Sequence, residues 1–533
     1  VFVYVSYLRL WRDNVFWGQT VLWKSLGEVF FRIFLLVLFL LIAAALGKRI
    51  FKWVGFETGS FLESLLFGLA IGLAIFTYLF IGLGLIGLFN RWAVNLSLLG
   101  IYLIAYPEVR DIIHQIRARL KNLVSSGIPS WEILLVLVVL IQVVFNLAGA
   151  SVLPFDWDGL GAYLPMAKEW TRLHHLADIP YVNFGARNIP FNVGILYAAA
   201  LLVKDAILAK LIHFSFGLLT AVGIYALGRR HFSPRIGLFS AAIFYLVPIV
   251  SWMSPTAFID LGFTFYAFLA IYALINWITS HKRSWLIVSA IVSGLCLGSK
   301  YTGFLWVALL LLAVLINSLL SERQKLSAVA KNTLLFAALT GLVGCFWYLR
   351  GFIISGDLVF SRLYHLLRGE WWREAFAASG TQGTLGAKFS SLAPHLFLPW
   401  EITMHSRRFH GRGAVGLLFL SFLPFLLFRR FRKSGLIKFF LYYSAGYLFF
   451  WSWSFPYKRG LLPVFPLLSI MVACVVNEVS NFHRLLRNAL FALLIFTFIF
   501  QIFYLAPDGL NQIFQRLSVF VGLKSQKEYI WKT

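Results

Sequence analysis

The sequence predicts an all-α polytopic membrane protein. Of 533 residues, 60% are hydrophobic, 18% are aromatic and only 13% are charged. The mean hydropathy is +0.81, and apolar runs of membrane-spanning length recur along the chain. A soluble domain is about 45–50% apolar and about 25% charged, so this chain has too little polar surface to cover its apolar residues in water. The bilayer is its solvent.

A helix needs about 20 apolar residues to cross a bilayer, fewer where neighbours help, and on that rule about fourteen stretches are candidates. The first half of the chain holds Val29–Leu46, Phe61–Phe89, Ala93–Tyr106, Trp131–Ala150, Ala206–Leu227, Ile236–Trp252 and Phe258–Ile278. The second half holds Trp285–Gly298, Gly303–Leu320, Thr333–Leu349, Gly413–Phe428, Phe439–Phe455, Leu461–Val476 and Asn488–Ala506. The sequence opens on Val1 rather than Met. Ala43, Ala44 and Ala45 imitate a signal-peptidase site, but the stretch before Val29 carries Arg9, Arg12, Asp13, Lys24 and Glu28 and is too long and mixed for a signal peptide. The reading is a retained membrane helix.

Orientation follows from where bases concentrate in short loops. Lys48, Arg49 and Lys52; then Arg110, Arg117, Arg119 and Lys121; then Arg229, Arg230 and Arg235 fall on every second loop. Lys282 and Arg283, the Arg323–Lys331 stretch, the Arg429–Lys438 stretch, and Arg484 with Arg487 keep that parity, which makes these loops cytoplasmic. Residues 151–205 and 350–412 then lie outside. The stretch Pro107–Ser130 carries Val109, Ile112, Ile113, Ile116 and Leu120 at helical spacing, and reads either as an amphipathic helix on the cytoplasmic leaflet or as a solvated connector. Three regions result: an N-terminal extension (1–130) with about three spans, a core (131–506), and an outer C-terminal tail (507–533).

Forty-seven Lys and Arg against 21 Asp and Glu give a net charge of +26. In a soluble protein that excess would point to nucleic acid. Here anionic lipid headgroups and topology account for it, so membrane lipids are the partner and nucleic acid is not. The three cysteines, Cys296, Cys345 and Cys474, lie apart in apolar runs, which indicates neither a disulfide framework nor a metal cluster. His174 and His175 are adjacent and point apart on a helix, so they are not read as a metal pair. There is no Walker loop, GxSxG or HExxH motif.

The chemistry-bearing residues gather on the outer face. Asp156 and Asp158, between Phe155, Trp157 and Tyr163, follow the helix ending near Ala150. A carboxylate there suits a general base meeting a hydroxyl acceptor beside a lipid-borne substrate; alternatively Asp156 caps the next helix and the aromatic residues belong to the interfacial belt. Asp260, in Pro255–Asp260, sits at the outer mouth of an apolar helix, where an ionisable group faces a cavity or a partner. Lys300, in Gly298–Gly303, stands at the next outer turn and either serves the site or snorkels to headgroups. Arg350 follows Trp347, Tyr348 and Leu349 at a helix exit. Lys458 and Arg459 occupy a tight outer turn against the positive-inside tendency, for which an anionic ligand would supply a reason; alternatively this pair, like Arg350, simply anchors the interface. The long second outer segment holds Glu370, Trp371, Trp372, Glu374, His395, Glu401, His405 and His410, without a spacing that defines a chemistry.

In this order the motifs resemble the GT-C superfamily of membrane glycosyltransferases, in particular the bacterial branch near the protein O-mannosyltransferases and aminoarabinose transferases. Asp158 followed by Tyr163, Leu164 and Pro165 resembles its first outer-loop motif; Ala257–Leu261 its second acidic motif; Gly294–Thr302 its glycine-lysine motif. Trp347–Arg350 and Arg459–Pro463 resemble two further signatures. The similarity covers about Trp131 to Ala506. It departs at Gly460, where the family often has Tyr, at Ser355–Leu358, which replaces a Gly-Asn-Pro turn, and in the N-terminal extension, which has no counterpart.

The resemblance implies a GT-C-like helical bundle whose outer loops carry amphipathic helices. It implies an inverting transfer of sugar from a polyprenyl-phosphate donor to a glycan, lipid or protein acceptor, in a prokaryotic plasma membrane with the site facing outside. It further implies Asp158 as base with Asp156 second, Lys300, Arg350, Lys458 and Arg459 around the phosphate, Asp260 orienting the sugar, and Tyr163 in the substrate site. No cofactor beyond the lipid-linked donor is implied, and a divalent metal is left open. A transporter or lipid flippase, or a non-catalytic scaffold, has the same helix count; transporters, however, set polar groups near the bilayer midplane.

Overall fold

The computed structural model describes residues 22–124, 130–179, 189–320, 325–355, 393–406, 409, 413–432, 434–454, 457–480, 484–504, 509–524, 526 and 529. Among these there are helices and no strand. The chain forms two compact units, each built from separate stretches.

The first unit comprises residues 1–219, 253–262 and 508–533. It holds α1 (Leu22–Trp53), α2 (Phe61–Leu85), α3 (Arg91–Val124), α4 (Ser130–Ala150), α5 (Leu164–Leu173), α6 (Asn192–Val203) and the start of α7 (Ala206–His231). Ser60 starts α2 by accepting a hydrogen bond from the Glu63 amide at 3.3 Å, which satisfies one of the donors a helix leaves open at its N-terminus.

α3 corrects the sequence reading. The span and the amphipathic segment beyond it are one helix running through Pro107. Immediately after it Glu108 accepts from Arg49 at 2.9 Å and from Lys52 at 2.8 Å, and Asp111, one turn on from Pro107, pairs with Lys48 at 2.6 Å. The basic cluster read as a loop is thus the end of α1, where cations suit a helix C-terminus and find their acidic partners on α3. Near the opposite end of α1, Arg32 grips Asp205 at 2.7 Å and Glu28 meets Lys204 at 3.2 Å. The Lys48 cluster and the end of the 151–205 segment therefore contact opposite ends of one helix.

The second unit comprises residues 220–252 and 263–507. After the rest of α7 come α8 (Pro234–Tyr245), α9 (Pro248–Met253), α10 (Asp260–Ser280), α11 (Arg283–Leu297), α12 (Gly303–Leu320), α13 (Leu326–Gly344) and α14 (Phe346–Ser355). Then follow α15 (Ala393–Met404), α16 (Leu418–Phe422), α17 (Gly435–Ser454), α18 (Phe465–Ser480) and α19 (Arg484–Tyr504), with α20 (Gly509–Phe520) returning to the first unit. Every residue from Phe263 to Trp277 is buried, as expected of a helix that is apolar on all sides.

Three predicted spans break. Ile236–Trp252 divides at Leu246–Val247, ahead of Pro248, whose ring lacks the N–H that would continue α8; the Ile249 amide donates instead to the Ala414 carbonyl at 3.0 Å. Thr333–Leu349 divides at Cys345 into α13 and α14. Gly413–Phe428 is a five-residue α16 and a 3-10 turn containing Pro424 rather than one helix.

Eight described helices are long and apolar enough to cross a membrane: α1, α2, α3, α4, α7, α10, α12 and α13. Shorter apolar helices accompany them, among them α6, α11 and α18. Trp92, Leu96, Leu99 and Leu103 on α3, and Leu134, Leu137 and Ile141 on α4, are exposed, which places hydrocarbon against these faces in an integral membrane protein.

Candidate active site

In the first unit the segment after α4 folds as a short turn, a π-helical stretch over Gly159–Tyr163, and α5. The two acids separate by environment. Asp156 is buried, and its carboxylate accepts from the Gly159 amide at 2.8 Å and from the Ala257 amide at 3.1 Å. Burial pushes its pKa above the ordinary carboxylate range, with the Lys210 charge opposing. Asp158 is half-buried beside Trp157, which is 72% exposed. Asp156 has the geometry of a local cap and cross-link, one of the two readings left open by the sequence, whereas Asp158 remains accessible.

Asp260 is the first residue of α10, buried, where an acid is favoured by the helix dipole. Its loop is held from three separate places. Asp156 accepts from the Ala257 amide, the Tyr197 hydroxyl donates to the Phe258 carbonyl, and the Leu261 amide donates to His213 Nε2 at 3.1 Å. Tyr163 joins this assembly through its ring, 6.4 Å from that of Phe258 and 6.1 Å from that of Phe191. The structure thus brings Asp156, Tyr163 and the Asp260 loop together. Sequence reasoning missed Tyr197, His213 and Lys210, three polar side chains in apolar helices whose signal was the cost of placing them there.

In the second unit, α11 ends in the glycine-lysine stretch. Gly294 lets α11 approach α13 closely, since a Cβ there would stand 2.5 Å from Cβ of Val343. The Tyr348 hydroxyl donates to the Leu297 carbonyl at 2.8 Å, and its ring meets that of Tyr301 at 5.9 Å. Two motifs read separately from the sequence therefore fold as one. Arg350 lies within α14 rather than at a helix exit, because the break falls earlier, at Cys345.

The Lys300 ammonium stands 5.2 Å from the centre of the Tyr457 ring, and the Arg459 guanidinium 5.7 Å from the same centre. Cations from distant parts of the chain are thereby brought to one aromatic ring. The turn carrying Tyr457 and Arg459 is pinned by the Tyr447 hydroxyl on the Gly460 carbonyl at 2.7 Å and by Trp451 Nε1 on the Tyr457 carbonyl at 3.3 Å. A Cβ at Gly460 would stand 2.5 Å from Trp451 Nε1, which explains glycine at this departure from the family pattern. Lys458 is buried and donates to the Ser406 hydroxyl at 3.3 Å; burial lowers its pKa to about 8.

His174 ends α5 in the left-handed conformation, φ 56°, and its carbonyl accepts from the Phe89 amide at 3.1 Å. Among the described residues no three His, Cys, Asp or Glu side chains stand together as a metal set. In the 350–412 segment Glu401 pairs with His405 at 3.1 Å on the surface, while Glu370, Trp371, Trp372, Glu374 and His410, the Ser355–Leu358 turn beyond Ser355, and the His395 side chain lie outside the described residues.

These features define a polytopic, all-helical membrane protein with an acidic cluster in one unit and a cationic cluster in the other. Residues 195–348 match the family model for dolichyl-phosphate-mannose-protein mannosyltransferase, a segment that contains Asp260 and Lys300 and leaves out Asp158, Tyr163, Arg350 and Arg459. Over that stretch the chain is similar to this mannosyltransferase family, in agreement with the superfamily its motifs resemble. Two crystal structures of ArnT from Cupriavidus metallidurans also align with it. The one bound to undecaprenyl phosphate shows 14% identity and a TM-score of 0.46 over 76% of each chain. The one in the apo state shows 15% identity and a TM-score of 0.47 over 75% of each. None of the curated proteins matches the chain.

Proposed function

We propose that this protein is an inverting glycosyltransferase that moves a sugar from a polyprenyl-phosphate donor to an acceptor hydroxyl on the extracytoplasmic side of the membrane. The observation that carries the reading is the meeting of Lys300 and Arg459 at Tyr457, within a chain whose centre matches a family of polyprenyl-phosphate-dependent transferases.

In this reaction the acceptor oxygen attacks the anomeric carbon from the face opposite the phosphate, the bond from that carbon to the phosphate oxygen breaks, and Asp158 takes the acceptor proton. Polyprenyl phosphate leaves well once its growing charge is neutralised, so cations do the work that a protonated acid does in glycoside hydrolysis. Lys300, Arg350, Lys458 and Arg459 are assigned to the phosphate, Asp260 and Tyr163 to the sugar. Asp156 holds the Asp158 turn to the Asp260 loop.

The test is incubation of the purified protein with a labelled polyprenyl-phosphate sugar and a cell-envelope acceptor fraction. Label should pass to the acceptor and free lipid phosphate should appear. Movement of intact labelled lipid across vesicles, without release, would instead mark a flippase.

Lys458 adds a pH dependence. Its pKa is lowered, so its charge is lost as pH rises through about 8 instead of near the usual 10.5. Attraction to an anionic phosphate is complete below that point and lost above it, while the stability cost of burying the charge, present below about 8, is relieved between there and 10.5. The donor KM should climb between pH 7 and 9 by about tenfold at most, and Lys458→Arg should flatten the climb.

A further inference from the structure

We infer that Lys210 and the C-terminal residues Arg516, Val519, Gln526 and Tyr529 are positioning elements of the acid-bearing turn, holding Ser151–Asp158 in the arrangement that transfer requires. The inference rests on the function proposed above and extends it to residues outside every motif of the chain.

The turn begins where α4 ends, and a helix end leaves its last carbonyls without intrahelical donors. Lys210, fully buried on the first turns of α7, supplies them. Its Nζ donates to the carbonyls of Gly149 at 2.9 Å, Val152 at 2.8 Å and Leu153 at 3.4 Å. An ammonium withdrawn from water within a membrane helix is costly, and among the described residues its hydrogen bonds go to the end of α4 and the start of this turn.

The C-terminal segment reaches the same turn. The Gln526 side-chain amide pairs with it as a backbone strand would: Nε2 donates to the Ser151 carbonyl at 3.0 Å, and Oε1 accepts from the Leu153 amide at 3.0 Å. Val519 and Tyr529 bury Val152. Arg516, which donates to the Tyr529 hydroxyl at 3.3 Å, lies 4.5 Å from the centre of the Phe155 ring, and Lys210 Nζ lies 5.1 Å from it. Phe155 therefore meets two buried cations immediately before Asp156, and Asp156 passes the constraint on to Gly159 and Ala257. The acid turn is fixed at its start by Lys210 and Gln526, at its middle by Phe155 and at its end by Asp156.

The experiment compares full-length wild type with Gln526→Ala, Gln526→Glu and Lys210→Met. Steady-state kinetics and amide hydrogen exchange of residues 151–159 are measured on each. Gln526→Ala should lower kcat about tenfold to a hundredfold, the loss expected when a catalytic group is misplaced by about 1 Å, and leave the donor KM within about twofold. Exchange at Leu153 and Gly159 should quicken. Gln526→Glu keeps the acceptor and loses the donor, so it should fall between. Lys210→Met should exceed both; should it not fold, the Gln526 pair decides alone. An unchanged kcat, a loss confined to KM, or unchanged exchange would overturn the inference. Were the wild type to transfer no sugar at all, the proposed function would fail, and the exchange data would still show whether the segment clamps the turn.

Discussion

Asp158→Asn is expected to lower kcat for sugar transfer by about 10²–10⁴-fold, the range associated with loss of a positioned general base, with the donor KM little changed. Asn is isosteric but does not accept the acceptor's proton. Asp158 is half-buried, so the variant should elute as a single folded species and keep its helical circular dichroism. Asp156→Asn should behave differently. The Asp156 carboxylate serves two backbone donors, and an Asn amide offers one oxygen and a donor group in place of the second oxygen. That leaves a buried amide poorly matched, so Asp156→Asn should lower the unfolding temperature along with activity. A fully active Asp158→Asn beside a stable, inactive Asp156→Asn would move the base to Asp156.

The second large effect concerns the cations. Lys300→Met and Arg459→Met should each lower kcat by about 10²–10³-fold, comparable to removing a preorganised charge donor from a developing anion, and each should raise the donor KM. Because both side chains meet the Tyr457 ring, their effects should not add. A double-mutant cycle should give a coupling of about 0.5–3 kcal/mol, and replacing Tyr457 by Leu should reduce that coupling. Additive losses would show that the two cations act at separate places.

The motifs legible in the chain were those in which composition conflicts with location. Lys458 and Arg459 place two cations in a tight turn between apolar runs, Asp260 opens an apolar helix, and Gly294 to Lys300 interrupt apolar runs. Gly294 proves to be a point of helix contact, and Gly460 faces Trp451. Helix ends were less legible. α3 runs on through Pro107 because Glu108 and Asp111 meet three cations of α1, a gain no local reading contains. α8 stops before Pro248, where a run judged by hydropathy alone continues.

The amino-acid sequence by itself determined that the bilayer is the solvent and which acids and bases stand out from it, because transfer free energy is a property of each residue and its neighbours in the chain. The tertiary structure alone decided which of those groups meet. Tyr197, His213, Lys210 and Gln526 act on backbone atoms far away in sequence, and a hydrogen bond to a carbonyl or an amide leaves no mark on the residue type of its partner.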